Sequence, residues 1–474
     1  MEVLMKITLL EPKAPGIHVY SKFKLPRLGL PILGALVKRE LGLEPKIYVE
    51  DLSPVDWEAI SASDLVGISS ITPTVTRAYQ LVEKIKKRKP VPVVMGGPHV
   101  TFLPEEALAR GADYVVRGEG EWAFGELVKS ILTGQPSLDS IPGLSYRQGT
   151  EIIHNPLPQV VEPLEALPWP DLSLIQNWRK MPILPVLTSR GCPFNCTFCS
   201  VTKMFGRRYR MRPIEDVLNE LEYWLNQKNW RSVFFYDDNF ACRSEHTKEL
   251  LNQIISRKLP MRWTAQVRVD VAKDEELLRL MRASGGYVLY IGLESVNPRT
   301  LEKYRKNQTV EEIAQAIQTI HRHHLQVHGM FVLGSDEDDR RTIDETVRFA
   351  RQMRIDTVQF MVLTPLPGTE IFFELSQQGR LLNEDWSKFS GHHVVFKPRL
   401  LSAYELQKEA AIRAMRRFYS RWQCFKFWFQ FRWRNLAIYT YARHSINRWI
   451  GQNKDFLQRL RLLSSPSSKV SPHP

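Results

Sequence analysis

Two blocks of alternating short apolar runs and helix-period segments, parted by a proline-rich stretch, constrain the fold of this chain more than any other feature. In the first block Lys6–Leu10, Lys46–Val49, Leu65–Ser69 and Val91–Met95 read as strands, with helices over Leu28–Leu41 and Val75–Lys87. Strand and helix in turn is the pattern of a doubly wound parallel sheet. The second block repeats the unit six times, with strands expected at Ile183–Leu187, Ser232–Tyr236, Arg262–Val267, Tyr287–Leu293, Val327–Leu333 and Thr357–Leu363. Its helix Ile214–Gln227 carries Val217, Leu218, Leu221, Trp224 and Leu225 at helical spacing. Six units predict a partial (β/α)6 barrel. Nine prolines fall between Thr133 and Pro185, around a hairpin expected at Gly143–Tyr146 and Glu151–His154. Such a segment is semi-rigid and reads as a linker laying the first domain over the mouth of the second.

The domains expected are therefore 1–132, a linker 133–182, a barrel 183–390, a helical basic and aromatic extension 391–463 and a disordered tail 464–474. With 43% hydrophobic and 24% charged residues, the composition is that of a globular protein. Five cysteines, three of them clustered, give no disulfide framework and point to a reducing, cytoplasmic interior. The start lacks a secretory apolar core, and no run reaches the roughly 18 apolar residues of a membrane span. The net charge of +14 suggests nucleic acid, but Ala403–Leu463 holds 13 Lys/Arg against 3 Asp/Glu. One C-terminal segment carries the excess, so no nucleic-acid partner is expected.

Cys192, Cys196 and Cys199 follow the first strand of the second block. Iron–sulfur clusters usually take four thiolates, so a compact group of three leaves one iron open to an exogenous ligand. An open metal position points to catalysis rather than scaffolding. A zinc knuckle would need a fourth ligand, for which only Cys242 or His154 stands out. The spacing CxxxCxxC, with Phe198 before the last cysteine, resembles the signature of the radical S-adenosylmethionine (SAM) enzymes. The resemblance implies a 4Fe–4S cluster held by the three cysteines, SAM chelated to its open iron, and one-electron cleavage to a 5′-deoxyadenosyl radical. It implies that the backbone at Phe198 meets the adenine. In parallel barrels chemistry gathers at the C-terminal strand ends, where this loop lies.

In the first block Ser69-Ser70-Ile71-Thr72 follows one strand and Gly96-Gly97-Pro98-His99 the next. Glycines there admit a ligand close to backbone at the strand ends. These loops, with Gly118 and Glu119 of Asp113–Gly120, resemble the cobalamin-binding domain of cobalamin-dependent radical SAM enzymes. The DxHxxG loop of the methionine-synthase branch of cobalamin domains would lie near residues 18–30 and is absent, so the cobalt would lack that histidine ligand, as is common in the radical SAM branch. A plain Rossmann-like domain without the cofactor is the alternative.

Further candidates stand at the barrel strand ends. Asp237 or Asp238 could accept from the SAM ammonium, or cap the next helix. Arg268 could hold the SAM carboxylate or pair with Asp270. Glu294, in Gly292–Ser295, resembles the family element that binds the SAM ribose or methionyl part; without such a partner its burial would be costly. Gly329–Gly334 is expected to back the adenine, and Pro365–Thr369 to be a family element or a turn with a helix start. His321, His323, His324 and His328 read as a solvated helix end. Gly206–Arg212 reads as an exposed basic face or a site for an acidic substrate. In the extension, Trp422, Trp428, Trp433 and Trp449 interleave with Arg421, Lys426, Arg432 and Arg434. This suits a lid on the barrel with stacked arginines, ranked ahead of a membrane-surface helix and of RNA binding.

Across residues 1–390 the chain thus resembles the cobalamin-dependent radical SAM family. That implies an α/β chain: an N-terminal Rossmann-like cobalamin-binding domain, then a partial (β/α)6 TIM-type radical SAM barrel with a helical extension. The cofactors implied are the cluster, SAM and cobalamin, with a reductant such as flavodoxin or ferredoxin as partner. In the family's methylases one SAM supplies the methyl through cobalamin and a second the radical; in its oxidative cyclases no methyl moves. Methylation of an unactivated carbon of a hydrophobic small molecule or lipid is the leading expectation. A cyclase resembling the anaerobic magnesium-protoporphyrin enzyme and a non-catalytic sensor are the alternatives.

Overall fold

The computed structural model describes residues 5–14, 16 and 24–464; the segment read for the missing DxHxxG loop and the expected tail fall largely outside them. The first sheet runs Lys46–Val49, Ile7–Glu11, Leu65–Ser69, Val93–Gly96, Tyr114–Val116, Leu144–Gln148, Glu151–His154 from edge to edge. Its first five strands are parallel and its last two antiparallel. The parallel strands read as nearly unbroken apolar runs because helices cover both faces. Helix Thr72–Arg88 turns Val75, Ala78, Leu81, Val82 and Ile85 inward and ends on Lys86, Lys87 and Arg88, which complement its dipole. The chain order reverses between Ile7–Glu11 and Leu65–Ser69, and such folds bind ligands beyond the strand ends at this reversal.

The hairpin departs from its expected place in a linker. Both of its strands extend the first sheet, and Asn155 ties them down by donating to the Leu138 and Ile141 carbonyls at 2.7 and 2.8 Å.

The second sheet holds six parallel strands in chain order, Leu184–Val186, Ser232–Phe235, Arg262–Val267, Gly286–Glu294, Gln326–Leu333 and Thr357–Val362. Helices return the chain on the outer side. One starts at Thr309, whose Oγ1 accepts from Glu312 N at 3.1 Å while Glu312 Oε2 accepts from Thr309 N at 3.0 Å. His328 lies buried on the fifth strand, its pKa lowered to about 3 by burial, whereas His321 and His323 pair with Asp356 and Glu275. The four histidines therefore share no site.

The C-terminal helices pack on the edge strand Thr357–Val362. Tyr419 Oη donates to the Val358 carbonyl at 2.8 Å and accepts from its N–H at 2.9 Å, replacing a strand neighbour. Tyr419→Phe removes both bonds and should cost about 1–2 kcal/mol, measured as a lower urea midpoint. Among the described residues no helix is long and apolar enough to cross a membrane.

Candidate active site

The two sheets face each other across a cavity of about 400 Å³. Its first wall is the reversal point of the first sheet. There Ser69, Gly96, Gly97, Pro98, Gly118 and Glu119 all reach the cavity. Gly97 is required: its φ is +100°, and a Cβ would overlap the Ser70 carbonyl oxygen. The other wall is the barrel mouth, with Ser189, Arg190, Ser200, Met204, Tyr236 and Asp238.

Three candidates from the first block do not line this cavity. Ser70 is buried beneath Gly97, its N–H bonded to the Gly96 carbonyl at 3.0 Å. Thr72 is buried where its helix begins. His99 points into the core, 3.5 Å from Glu106 and edge-on to Trp386 with ring centroids 4.9 Å apart. Glu119 lies at the cavity edge, but its carboxylate is engaged: Arg210 reaches it at 2.5 and 2.8 Å, and Val161 N donates to it at 2.6 Å. Beside it Arg190 meets Glu121 at 2.6 Å. These buried groups lock the first sheet to the barrel.

Arg190 and Arg210 bracket the cysteine loop. Ser189–Arg190 pairs antiparallel with Arg210–Met211, which closes residues 191–209 into a loop on the cavity wall. Gly191, at φ +86°, starts the turn where a Cβ would overlap the Arg208 carbonyl oxygen. The far side is pinned by Thr197, whose N–H donates to the Tyr304 carbonyl at 3.3 Å and whose Oγ1 donates to the Lys303 carbonyl at 3.2 Å. Phe198 meets Tyr304 edge-on with ring centroids 4.9 Å apart. The basic run is thus no exposed face as a whole: Arg210 and Arg212 are buried in pairs with Glu119 and Glu220, and only Arg207 and Arg208 stand in solvent.

Cys192, Cys196 and Cys199 come together on this loop, near enough for the charge of one thiolate to act on the next. Burial pushes the Cys192 thiol up and the Cys199 thiol to about 12; a metal charge would reverse that. Among the described residues no three His, Cys, Asp or Glu side chains converge as a single ion needs. A multi-iron cluster spreads its ligands further apart, so three neighbouring thiols on one pinned loop fit it.

The adjacent carboxylates at the second strand end divide. Asp237 is buried and accepts from Thr188 N at 3.2 Å, from Thr188 Oγ1 at 2.9 Å and from Ser189 Oγ. Asp238 faces the cavity, its pKa raised to about 7 by burial and by the Asp237 charge. Neither caps the next helix, Ser244–Ser256, which starts at Arg243.

Arg268 stacks on Phe194 of the cysteine loop, 3.7 Å from the ring centre, and donates to the Lys306 carbonyl at 2.6 Å, with Asp270 only within 3.8 Å. Glu294 is buried against Lys306 at 2.7 Å and holds a left-handed φ of +61°. Strain of this kind costs about 1–3 kcal/mol and tends to mark functional positions. Thr369 Oγ1 accepts from Phe372 N at 3.2 Å and caps helix Glu370–Gln377, so Pro365–Thr369 forms a turn with a helix start.

Arg27 escaped the sequence reading. It lines the cavity, donates to the Ser69 carbonyl at 3.1 Å and lies 3.8 Å from the buried Glu11. A carboxylate ending the apolar strand Ile7–Glu11 was the available signal, since it calls for a nearby cation. Arg27 Nε and Arg190 Nη1 are buried without a hydrogen-bond partner among the described residues. With the glycine-lined strand ends, these free donors fit cobalamin, whose corrin edge carries amide oxygens.

Two family models match the chain: the B12 binding domain over residues 17–128 and the radical SAM superfamily over residues 186–376. An uncharacterized methyltransferase of Pyrococcus horikoshii is 33% identical over 422 residues, 86% of this chain and 91% of that protein. The bacteriochlorophyllide d C-12(1)-methyltransferase of Chlorobaculum tepidum is 29% identical, covering 75% of this chain and 74% of its own length. The anaerobic magnesium-protoporphyrin IX monomethyl ester cyclase of Cereibacter sphaeroides is 30% identical, covering 79% of this chain and 62% of its own. Among solved structures, the radical SAM methyltransferase TsrM of Kitasatospora setae superposes with a TM-score of 0.66 at 20% identity, over 79% of this chain and 76% of that one.

Proposed function

The chain belongs to the cobalamin-dependent radical SAM family, and on that footing we propose that it methylates an unactivated carbon of a hydrophobic small molecule or lipid. It is an enzyme of that class, and its cofactors are a 4Fe–4S cluster, SAM and cobalamin. The observation that carries the proposal is the cavity, whose walls come from both sheets and enclose one space between the glycine-lined strand ends and the cysteine loop. Leu9, Leu30, Leu33, Phe124 and Phe205 make much of its lining apolar, which suits a hydrophobic substrate and excludes water.

In this reading Cys192, Cys196 and Cys199 hold the cluster. Ser69, Gly96, Gly97 and Gly118 receive cobalamin, with Arg27 and Arg190 donating to its amides. When bound, these groups supply one-electron cleavage of SAM and carriage of a methyl group. The protein's own side chains orient and shield. Asp238 accepts from the SAM ammonium, whose charge favours the ionised carboxylate that burial alone opposes. Glu294, fixed by Lys306, would bind the ribose or methionyl part. Arg268 holds Phe194, and with it the cysteine loop, against the barrel mouth. A reductant such as flavodoxin or ferredoxin supplies the electron.

The test is product analysis with reconstituted protein, SAM, reductant and an extract of isoprenoid lipids and tetrapyrroles. A methylase forms S-adenosylhomocysteine alongside 5′-deoxyadenosine and puts the SAM methyl into product. The similarity to the cyclase of Cereibacter sphaeroides supports a second reading. 5′-Deoxyadenosine and a changed substrate without S-adenosylhomocysteine would establish that one instead.

A further inference from the structure

The helical hairpin near the C-terminus carries chemistry that neither the cavity nor the cysteine loop uses. Helix Arg421–Phe429 turns Phe427 inward against Tyr439, with ring centroids 4.9 Å apart. Trp422, Phe425, Trp428, Phe429, Phe431 and Trp433 instead stand between 50% and 75% exposed. Their rings touch in series: Phe425 packs on Trp422 and Phe429 at 5.8 and 4.4 Å, and Phe431 on Trp433 at 6.0 Å. Scattered exposed rings are ordinary, whereas a joined set marks an interaction surface. Phe431 sits between this helix and helix Trp433–Gln452 at a left-handed φ of +54°, which a bulky side chain adopts at a cost. This turn carries the most exposed ring of the set.

The charge around these rings identifies what covers them. From Ala410 to Lys454 the sequence has ten Lys or Arg and no Asp or Glu. Arg421, Lys426, Arg432 and Arg434 are exposed among the rings. Aromatic rings with basic neighbours suit the lipid–water boundary, where rings enter the headgroup region and cations meet phosphates. The location excludes a lid on the cavity. The Arg434 guanidinium lies 5.6 Å from the Tyr287 ring, at the start of strand Gly286–Glu294, whose far end bears Glu294. Seven residue steps of about 3.3 Å set the patch roughly 23 Å from the mouth.

We propose that this patch seats the protein on an anionic lipid surface, as an anchor on the side of the barrel away from the cavity. The inference goes beyond the methylase reading and does not depend on it. The test uses the full chain with phosphatidylglycerol vesicles and with phosphatidylcholine vesicles, read by co-sedimentation and by quenching of tryptophan fluorescence from brominated acyl chains. Binding to phosphatidylglycerol with quenching is expected, with little binding to phosphatidylcholine. Replacing Trp422, Trp428 and Phe431 by serine should abolish quenching and binding and leave 5′-deoxyadenosine formation unchanged. Arg421→Gln with Lys426→Gln, which keeps the rings, should weaken binding about tenfold or more. Absence of binding, equal binding to both lipids or binding indifferent to the serine variant would overturn the proposal. So would a dimer that the serine variant splits and that binds no lipid, since a second copy would then cover the patch.

Discussion

Cys196→Ala protein, reconstituted anaerobically with iron and sulfide, is expected to hold almost no cluster and to form no 5′-deoxyadenosine, whereas Cys242→Ala keeps both. The Cys196 thiol lies within electrostatic reach of both Cys192 and Cys199, so removing it leaves two thiolates for a cluster that needs at least three. Cys242 is the tempting fourth ligand. Its pKa rises to about 11, first through burial and then through the Cys192 charge, so it is near the loop. It opens, however, onto a polar concavity beside Arg243 and His246 that none of the three loop cysteines lines. Iron and sulfide analysis of both variants decides the matter. Loss of the cluster in Cys242→Ala would mean four protein thiolates and no open iron for SAM.

Arg210→Ala is expected to be the most destabilising single change at the junction of the two sheets, by about 3–5 kcal/mol. Arg210 is 3% exposed, and its guanidinium donates to both Glu119 oxygens and to the Val161 and Phe205 carbonyls. Truncation leaves Glu119 as a buried carboxylate without its main cation. Arg210→Lys should recover little, because one ammonium cannot span those acceptors. The double variant Glu119→Leu, Arg210→Met should recover most of the loss, since replacing a buried pair by apolar groups is often neutral. Denaturant unfolding of the four proteins measures this. The single variants should also take up less iron, because Arg210 closes the cysteine loop against Arg190.

The barrel was legible because each strand is an apolar run between helical patterns; Arg262–Val267 was placed to the residue. The cysteine spacing is local, so a sequence alone can propose its three thiols as cluster ligands. Interactions between distant segments were not legible. The resemblance that offers Glu119 as a cofactor-binding residue does not reveal its partner Arg210, 91 positions away in a run that reads equally as an exposed face or a substrate site. His99 followed two glycines at a strand end, yet the helix begun by Pro98 turns it inward. The hairpin was assigned to a linker because its flanking prolines hid its pairing with Tyr114–Val116. Alternation at a strand end did hold the answer for Asp237 and Asp238, because adjacent residues face opposite sides. The extension's composition suits a lid and a surface patch alike, because aromatic and basic content does not say which face of the barrel those residues reach.

The central claim is that this chain uses its three-cysteine loop to cleave SAM. Protein reconstituted with iron, sulfide and cobalamin, then mixed anaerobically with SAM and a strong reductant, tests it by mass-spectrometric quantification of 5′-deoxyadenosine. Release well above that of Cys196→Ala is expected. No release from the native chain at full cluster loading would contradict it and favour a cluster-bearing sensor.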